Sequence, residues 1–215
     1  MIVDSHVVYT SGKHGSAYIN KDAIYPNTED TSALCEAIAE KFRDDGISTV
    51  IAPAIGGVIL SQWTAYHLTR LSQRRVNGVY AEKAADGESF VIKRGYDRYV
   101  GEGWRVLVVE DILTTGGSAK KVIEAVRALG GRVVALAAIC NRGGVTAEDV
   151  GGVPELFALT NVNLDTYEEA ECPLCAQGIE INTEVGKGKE LLGKKGITKC
   201  PVCRKQHLIT DCCPK

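Results

Sequence analysis

Apolar residues along this chain fall into two alternating patterns. Short, mostly β-branched runs at 49–52, 76–81, 106–109 and 133–139 read as buried strands. Between them, apolar residues recur at helical spacing. Leu34, Ala37, Ile38 and Phe42 predict a helix over 28–44, capped by Thr28 and stopped at Asp44-Asp45-Gly46. A second helix runs through Trp63, Tyr66 and Leu68. A third presents Val122, Ile123, Val126 and Leu129 before Gly130-Gly131 ends it. Cys35 and His67 fall among apolar helical positions and read as structural. Residues 7–21 predict two short strands around Ser-Gly and His-Gly turn signals. A turn at 84–88 precedes a strand at 89–93, and 154–159 predicts an edge strand. Strands alternating with helices make this an α/β chain.

Two of the strand-to-helix turns carry chemistry. After the strand at 106–109 come Glu110 and Asp111, and then Thr114-Thr115-Gly116-Gly117-Ser118 opens the third helix. Glycines let the backbone approach a ligand, free N–H groups face outward, and the helix dipole favours negative charge. The hydroxyls of Thr114, Thr115 and Ser118 add donors, so the turn suits a phosphate. The two acids suit sugar hydroxyls or a magnesium ion. The turn Ala54-Ile55-Gly56-Gly57 repeats the arrangement after the strand at 49–52, where close packing alone is an equal explanation for the glycines. Arg142, at the end of the strand at 133–139, offers a planar fork that fits a carboxylate.

Composition narrows the classes. The chain has 215 residues, 45% of them apolar, which is enough for one ordinary α/β domain and a small appendage. A net charge of −2 leaves no basic footprint for nucleic acid. No apolar run reaches membrane-spanning length and no leader pattern opens the chain, so the expectation is a cytoplasmic protein with no membrane partner. Six of the eight cysteines fall in the last 44 residues. The pairs Cys172-Pro-Leu-Cys175 and Cys200-Pro-Val-Cys203 have the spacing of two zinc knuckles and predict one structural four-thiolate zinc site. His207, Cys212 and Cys213 offer alternate ligands, although a loose tail is the favoured reading of this end. The predicted division is 1–170 for the main domain and 171–215 for the cysteine-rich tail.

The string Val106-Leu107-Val108-Val109-Glu110-Asp111-Ile112-Leu113-Thr114-Thr115-Gly116-Gly117-Ser118 resembles the signature of type I phosphoribosyltransferases. The resemblance extends over about residues 7–188 and is nearest to bacterial orotate phosphoribosyltransferases. It implies a central, mostly parallel sheet flanked by helices, and magnesium-dependent transfer of ribose 5-phosphate from phosphoribosyl pyrophosphate (PRPP) to orotate. It also implies a homodimer. Carried over, Glu110 and Asp111 hold the ribose, and 112–118 hold PRPP with its 5′-phosphate in the turn. Ala54, Ile55, Gly56 and Gly57 form the pyrophosphate loop. Lys83 is the catalytic cation of a mobile loop, with Asp111 as its catalytic partner and Lys93 and Arg94 in support. Tyr18, Ile19, Thr114 and Arg142 contact orotate. Several positions depart from the common pattern: Thr10 replaces a Lys before Ser-Gly, no Lys stands near Gly56, and Asn141 replaces an Asp. The alternatives are a phosphoribosyltransferase for another base and a non-catalytic PRPP-binding regulator.

Overall fold

The computed structural model describes residues 4–200, 203 and 205–208. In chain order, a hairpin of β1 (Val7–Val8) and β2 (His14–Gly15) precedes α1 (Thr28–Lys41), β3 (Thr49–Pro53) and α2 (Gly57–Ser72). Then come β4 (Asn77–Lys83), β5 (Phe90–Val91), β6 (Arg105–Leu113), α3 (Gly117–Ala128), β7 (Arg132–Asn141) and β8 (Leu156–Asn161). The C-terminal part adds α4 (Pro173–Ala176), α5 (Gly188–Lys194), β9 (Ile197–Lys199) and β10 (Gln206–Leu208). No helix among the described residues is long and apolar enough to cross a membrane.

These elements form two compact units, Lys21–Asn163 and the combination of Met1–Asn20 with Leu164–Lys215. The expected cut at 170/171 separates the tail by sequence alone. The N-terminal hairpin instead packs with the chain that follows Leu164. The backbones of His14 and Tyr167 exchange both hydrogen bonds, and the carbonyls of His6 and Val8 accept from the amides of Asn182 and Lys187. β9 and β10 pair antiparallel, with Cys200 and Cys203 in the turn between them. Cys212 and Cys213 lie outside the described residues.

The larger unit is a six-stranded sheet in the order β5-β4-β3-β6-β7-β8, parallel except for β5. Strand alternation divides its core in two. Val50, Ala52, Leu107 and Val109 pack with α1 and α2 on one face, through Cys35, Ile38, Phe42 and Leu60. Ile51, Val106 and Val108 pack on the other face with Val122, Ile123 and Val126 of α3. The buried side of α1 is Thr31, Cys35, Ile38 and Ala39, so Ala37 is exposed and Leu34 is half-buried. Its cap is Asn27 rather than Thr28: the Asn27 side chain accepts from the amides of Glu29 and Asp30. Leu129 follows α3 as an exposed C-terminal cap residue. His67 is structural, its Nε2 2.9 Å from the Ser32 hydroxyl and its ring stacked on Trp63.

Candidate active site

The chain runs outward from β3 through α2 to β4, but in the opposite direction from β6 through α3 to β7. The strand order therefore reverses between β3 and β6. Open parallel sheets bind ligands at the carboxyl ends of strands beside such a point. The two Gly-bearing turns are the segments that leave these strands.

β6 continues four residues beyond the run at 106–109. β3 pairs with it only through Val108, whereas β7 pairs with it as far as Leu113. Glu110 and Asp111 are thus inside the strand, and both are buried. They meet different neighbours. Glu110 joins Ile112, Leu113, Thr114, Thr115, Gly116, Gly117, Ser118 and Ala119 around a cavity of about 160 Å³ at the start of α3. Asp111 Oδ2 accepts from Lys21 Nζ at 2.6 Å and from the Tyr25 hydroxyl at 2.9 Å, while Oδ1 accepts from the Ile112 amide at 2.6 Å. Neither Lys21 nor Tyr25 belongs to a motif in the sequence. Both precede α1, ninety and eighty-six residues from their partner, so no local spacing relates them to Asp111.

Burial, and then the neighbouring Asp111 charge, push the Glu110 carboxyl well above the usual carboxylate range. Burial opposes the Lys21 charge, but the hydrogen bond and ion pair to Asp111, with Glu110 and Asp22 behind them, hold this ammonium above its ordinary value. Burial and then Asp111 also push the Tyr25 phenol far up, so it remains a donor. The pocket therefore carries negative charge that Lys21 balances from within the chain.

Two glycines are fixed by this geometry. Gly56 lies against the acid: a Cβ there would overlap Asp111 Oδ2 and stand 3.2 Å from Lys21 Nζ. That contact brings the 54–57 turn to the acid pair. Ile55 projects into solvent at 88% exposure, and the Ala54–Ile55 peptide is cis. Gly116 has φ 73°, and a Cβ on it would come within 2.6 Å of Val150 Cγ1. Gly116 thereby turns the chain into α3, whose first residues, Gly117 to Ala119, line the cavity.

Arg142 follows β7, and its Nε donates to Thr114 Oγ1 at 3.2 Å, which joins it to the same turn. Asn141 holds the loop behind it: its amide donates to the Val145 carbonyl at 2.8 Å and its oxygen accepts from the Val145 amide at 3.0 Å. An aspartate could make only the second bond. Lys83 ends β4, exposed, and pairs across the hairpin with Phe90. Arg94 is tied back to Glu82 Oε1 through Nε and Nη2, while Lys93 is exposed. Tyr18 and Ile19, both half-buried, belong to the smaller unit.

The cysteine-rich part adds two histidines to one of the expected cysteine pairs. Among the described residues, Cys172 and Cys175 group with His6 and His14, their ligand atoms all within 4.8 Å of one another. Cys200 and Cys203 lie in the same unit but are not members of this group. His6 and His14 stand on either side of the Ser11-Gly12 turn, far in sequence from both cysteines.

An acid pair beside a phosphate-sized cavity, at the reversal point of a parallel sheet, defines a class. The chain belongs to the phosphoribosyltransferase family, and a model of the phosphoribosyl transferase domain matches residues 21–171. Its curated relatives include the orotate phosphoribosyltransferase of Caldicellulosiruptor saccharolyticus, 41% identical over 182 residues that cover 84% of this chain and 87% of that one. The orotate phosphoribosyltransferase of Caldanaerobacter subterraneus is 38% identical over 181 residues, covering 84% and 88%. Among solved structures, orotate phosphoribosyltransferase from Aeropyrum pernix aligns with a TM-score of 0.56 at 27% identity, over 72% of this chain and 84% of that one. Adenine phosphoribosyltransferase from Thermoanaerobacter pseudethanolicus shares the fold, with a TM-score of 0.55 at 19% identity, over 67% and 87%.

Proposed function

We propose that the chain is an orotate phosphoribosyltransferase, transferring ribose 5-phosphate from PRPP to orotate and releasing orotidine monophosphate and pyrophosphate in pyrimidine synthesis. The observation that carries this reading is the convergence of Glu110, Asp111, the 114–118 turn and Arg142 at one end of the sheet. The 5′-phosphate takes the cavity at the start of α3, where backbone amides and the Thr114, Thr115 and Ser118 hydroxyls surround it. Glu110 and Asp111 accept from the ribose hydroxyls. Lys21 and Tyr25 must yield part of Asp111 as the sugar enters.

Carboxylate oxygens suit a hard divalent cation, and magnesium, when bound, would neutralise charge on the departing pyrophosphate. This chain's residues do the rest. The 54–57 turn, held near Asp111 by the absence of a side chain at Gly56, offers amides to the leaving group. Lys83, with Lys93 and Arg94, supplies mobile positive charge as the carbon develops oxocarbenium character. Arg142, oriented by Thr114, receives the orotate carboxylate. The same reading makes the protein a cytoplasmic homodimer with a zinc ion in its cysteine-bearing part. Support for orotate over other bases comes from the relatives' shared name and from the anion-matching Arg142. Arg142→Ala should abolish most orotate use while leaving PRPP affinity nearly unchanged. Unaltered orotate kinetics would remove Arg142 from the pocket.

A further inference from the structure

The smaller unit buries Val7, Val8, Tyr9, Ala17 and Leu192, but these form no extended apolar cluster. Both hydrophobic clusters of the described residues lie within Lys21–Asn163. In the smaller unit the buried centre includes His6, His14 and Cys172, with Cys175 half-buried beside them. A metal held by ligands from both of its segments would staple them together.

The side chains are arranged as one. His6 Nδ1 lies 2.7 Å from the Ile179 carbonyl and donates to it, which leaves the Nε2 lone pair facing the cluster. That nitrogen stands 2.8 Å from His14 Nδ1, 3.7 Å from Cys172 Sγ and 3.6 Å from Cys175 Sγ. His14 Nδ1 is 3.3 Å from Cys175 Sγ. The other nitrogen of this fully buried ring, Nε2, has no partner among the described residues, so the ring is held through Nδ1 alone. A tetrahedron built with zinc–nitrogen bonds of about 2.0–2.1 Å and zinc–sulfur bonds of about 2.3 Å has nitrogen–sulfur edges of about 3.5 Å and a nitrogen–nitrogen edge of about 3.3 Å. The three nitrogen–sulfur distances above already match, the remaining ligand atoms lie within 4.8 Å of one another, and loading needs the two rings to part by about half an ångström. A hydrogen bond between the rings would explain one contact. It would not explain two thiols converging on the same nitrogen.

We infer that His6 Nε2, His14 Nδ1, Cys172 Sγ and Cys175 Sγ bind one zinc ion as a closed structural site that ties the N-terminal hairpin to the Cys172 knuckle. The assignment rests on the reading of the cysteine-bearing part as a zinc carrier and changes its ligand set from four sulfurs to two sulfurs and two nitrogens. Two thiolates and two imidazoles favour zinc over hard cations such as magnesium. Four ligands from the chain leave no open position for catalysis.

The full chain, purified without chelator, should carry zinc by elemental analysis. Protein that stays metal-free after incubation with zinc overturns the inference. X-ray absorption of the wild type should include nitrogen in the first shell, and an all-sulfur shell overturns it. The full chain with Cys200→Ser and Cys203→Ser should keep one zinc bound by two nitrogens and two sulfurs. His6→Ala and His14→Ala should each lower zinc content by one equivalent, and unchanged content overturns the assignment. The wild-type spectrum stands even if a variant fails to fold. None of these readouts depends on turnover, so a failed orotate assay leaves them intact.

Discussion

At the scale of single residues, Glu110 and Lys21 are the most informative. Glu110 is held above the usual carboxylate range by burial and by Asp111, so the native state keeps a proton that the unfolded chain has released. Stability from this group is complete below the ordinary glutamate range and is lost as pH rises through the raised value. Thermal unfolding of the ligand-free chain should decline across that window, and Glu110→Gln should flatten the profile. Parallel profiles for the two proteins would contradict the assignment. Lys21→Ala leaves Asp111 with Tyr25 and the Ile112 amide. Because the lysine is 39% exposed, the stability cost should be about 1 kcal/mol or less. Magnesium binding followed by calorimetry should tighten, since the ammonium no longer competes for Oδ2; unchanged affinity would place the cation elsewhere. The acids, the turn and Arg142 were legible in the sequence because a strand, a Gly-rich turn and a helix are local signals. Lys21, Tyr25, His6 and His14 were not, because each acts on a partner brought near only by the fold.

At the scale of elements, pattern located the strands of the sheet but not their ends. Glu110 and Asp111 break the apolar run, so the pattern ends the strand at Val109. Pairing with β7 extends it to Leu113 and buries both acids. Sheet partners, not residue type, set that boundary. The start of α3 depends on Gly116. Gly116→Ala combines a left-handed backbone with a clash against Val150, and should cost about 2–4 kcal/mol in urea unfolding. A cost under about 0.5 kcal/mol would mean that the turn re-forms without it. On the β4–β5 hairpin, Lys83→Ala should lower kcat by about 10²-fold or more with little change in the KM for PRPP, as expected for charge that acts on the leaving group. A change confined to KM would make Lys83 a binding residue.

At the scale of the molecule, the sheet and its flanking helices follow from the alternation of strand and helix patterns. The grouping of the first twenty residues with the chain beyond Leu164 does not. Its contacts are backbone bonds and polar clusters between segments far apart in sequence, and neither leaves a periodic trace. The chemistry proposed for the larger unit rests on the base it accepts. The decisive measurement is depletion of orotate by the purified chain with PRPP and magnesium, run beside adenine, guanine, hypoxanthine, xanthine and uracil. Consumption of orotate alone, with pyrophosphate released in equal amount, is the predicted result. Consumption of a different base, or binding of PRPP without turnover of any base, would contradict it.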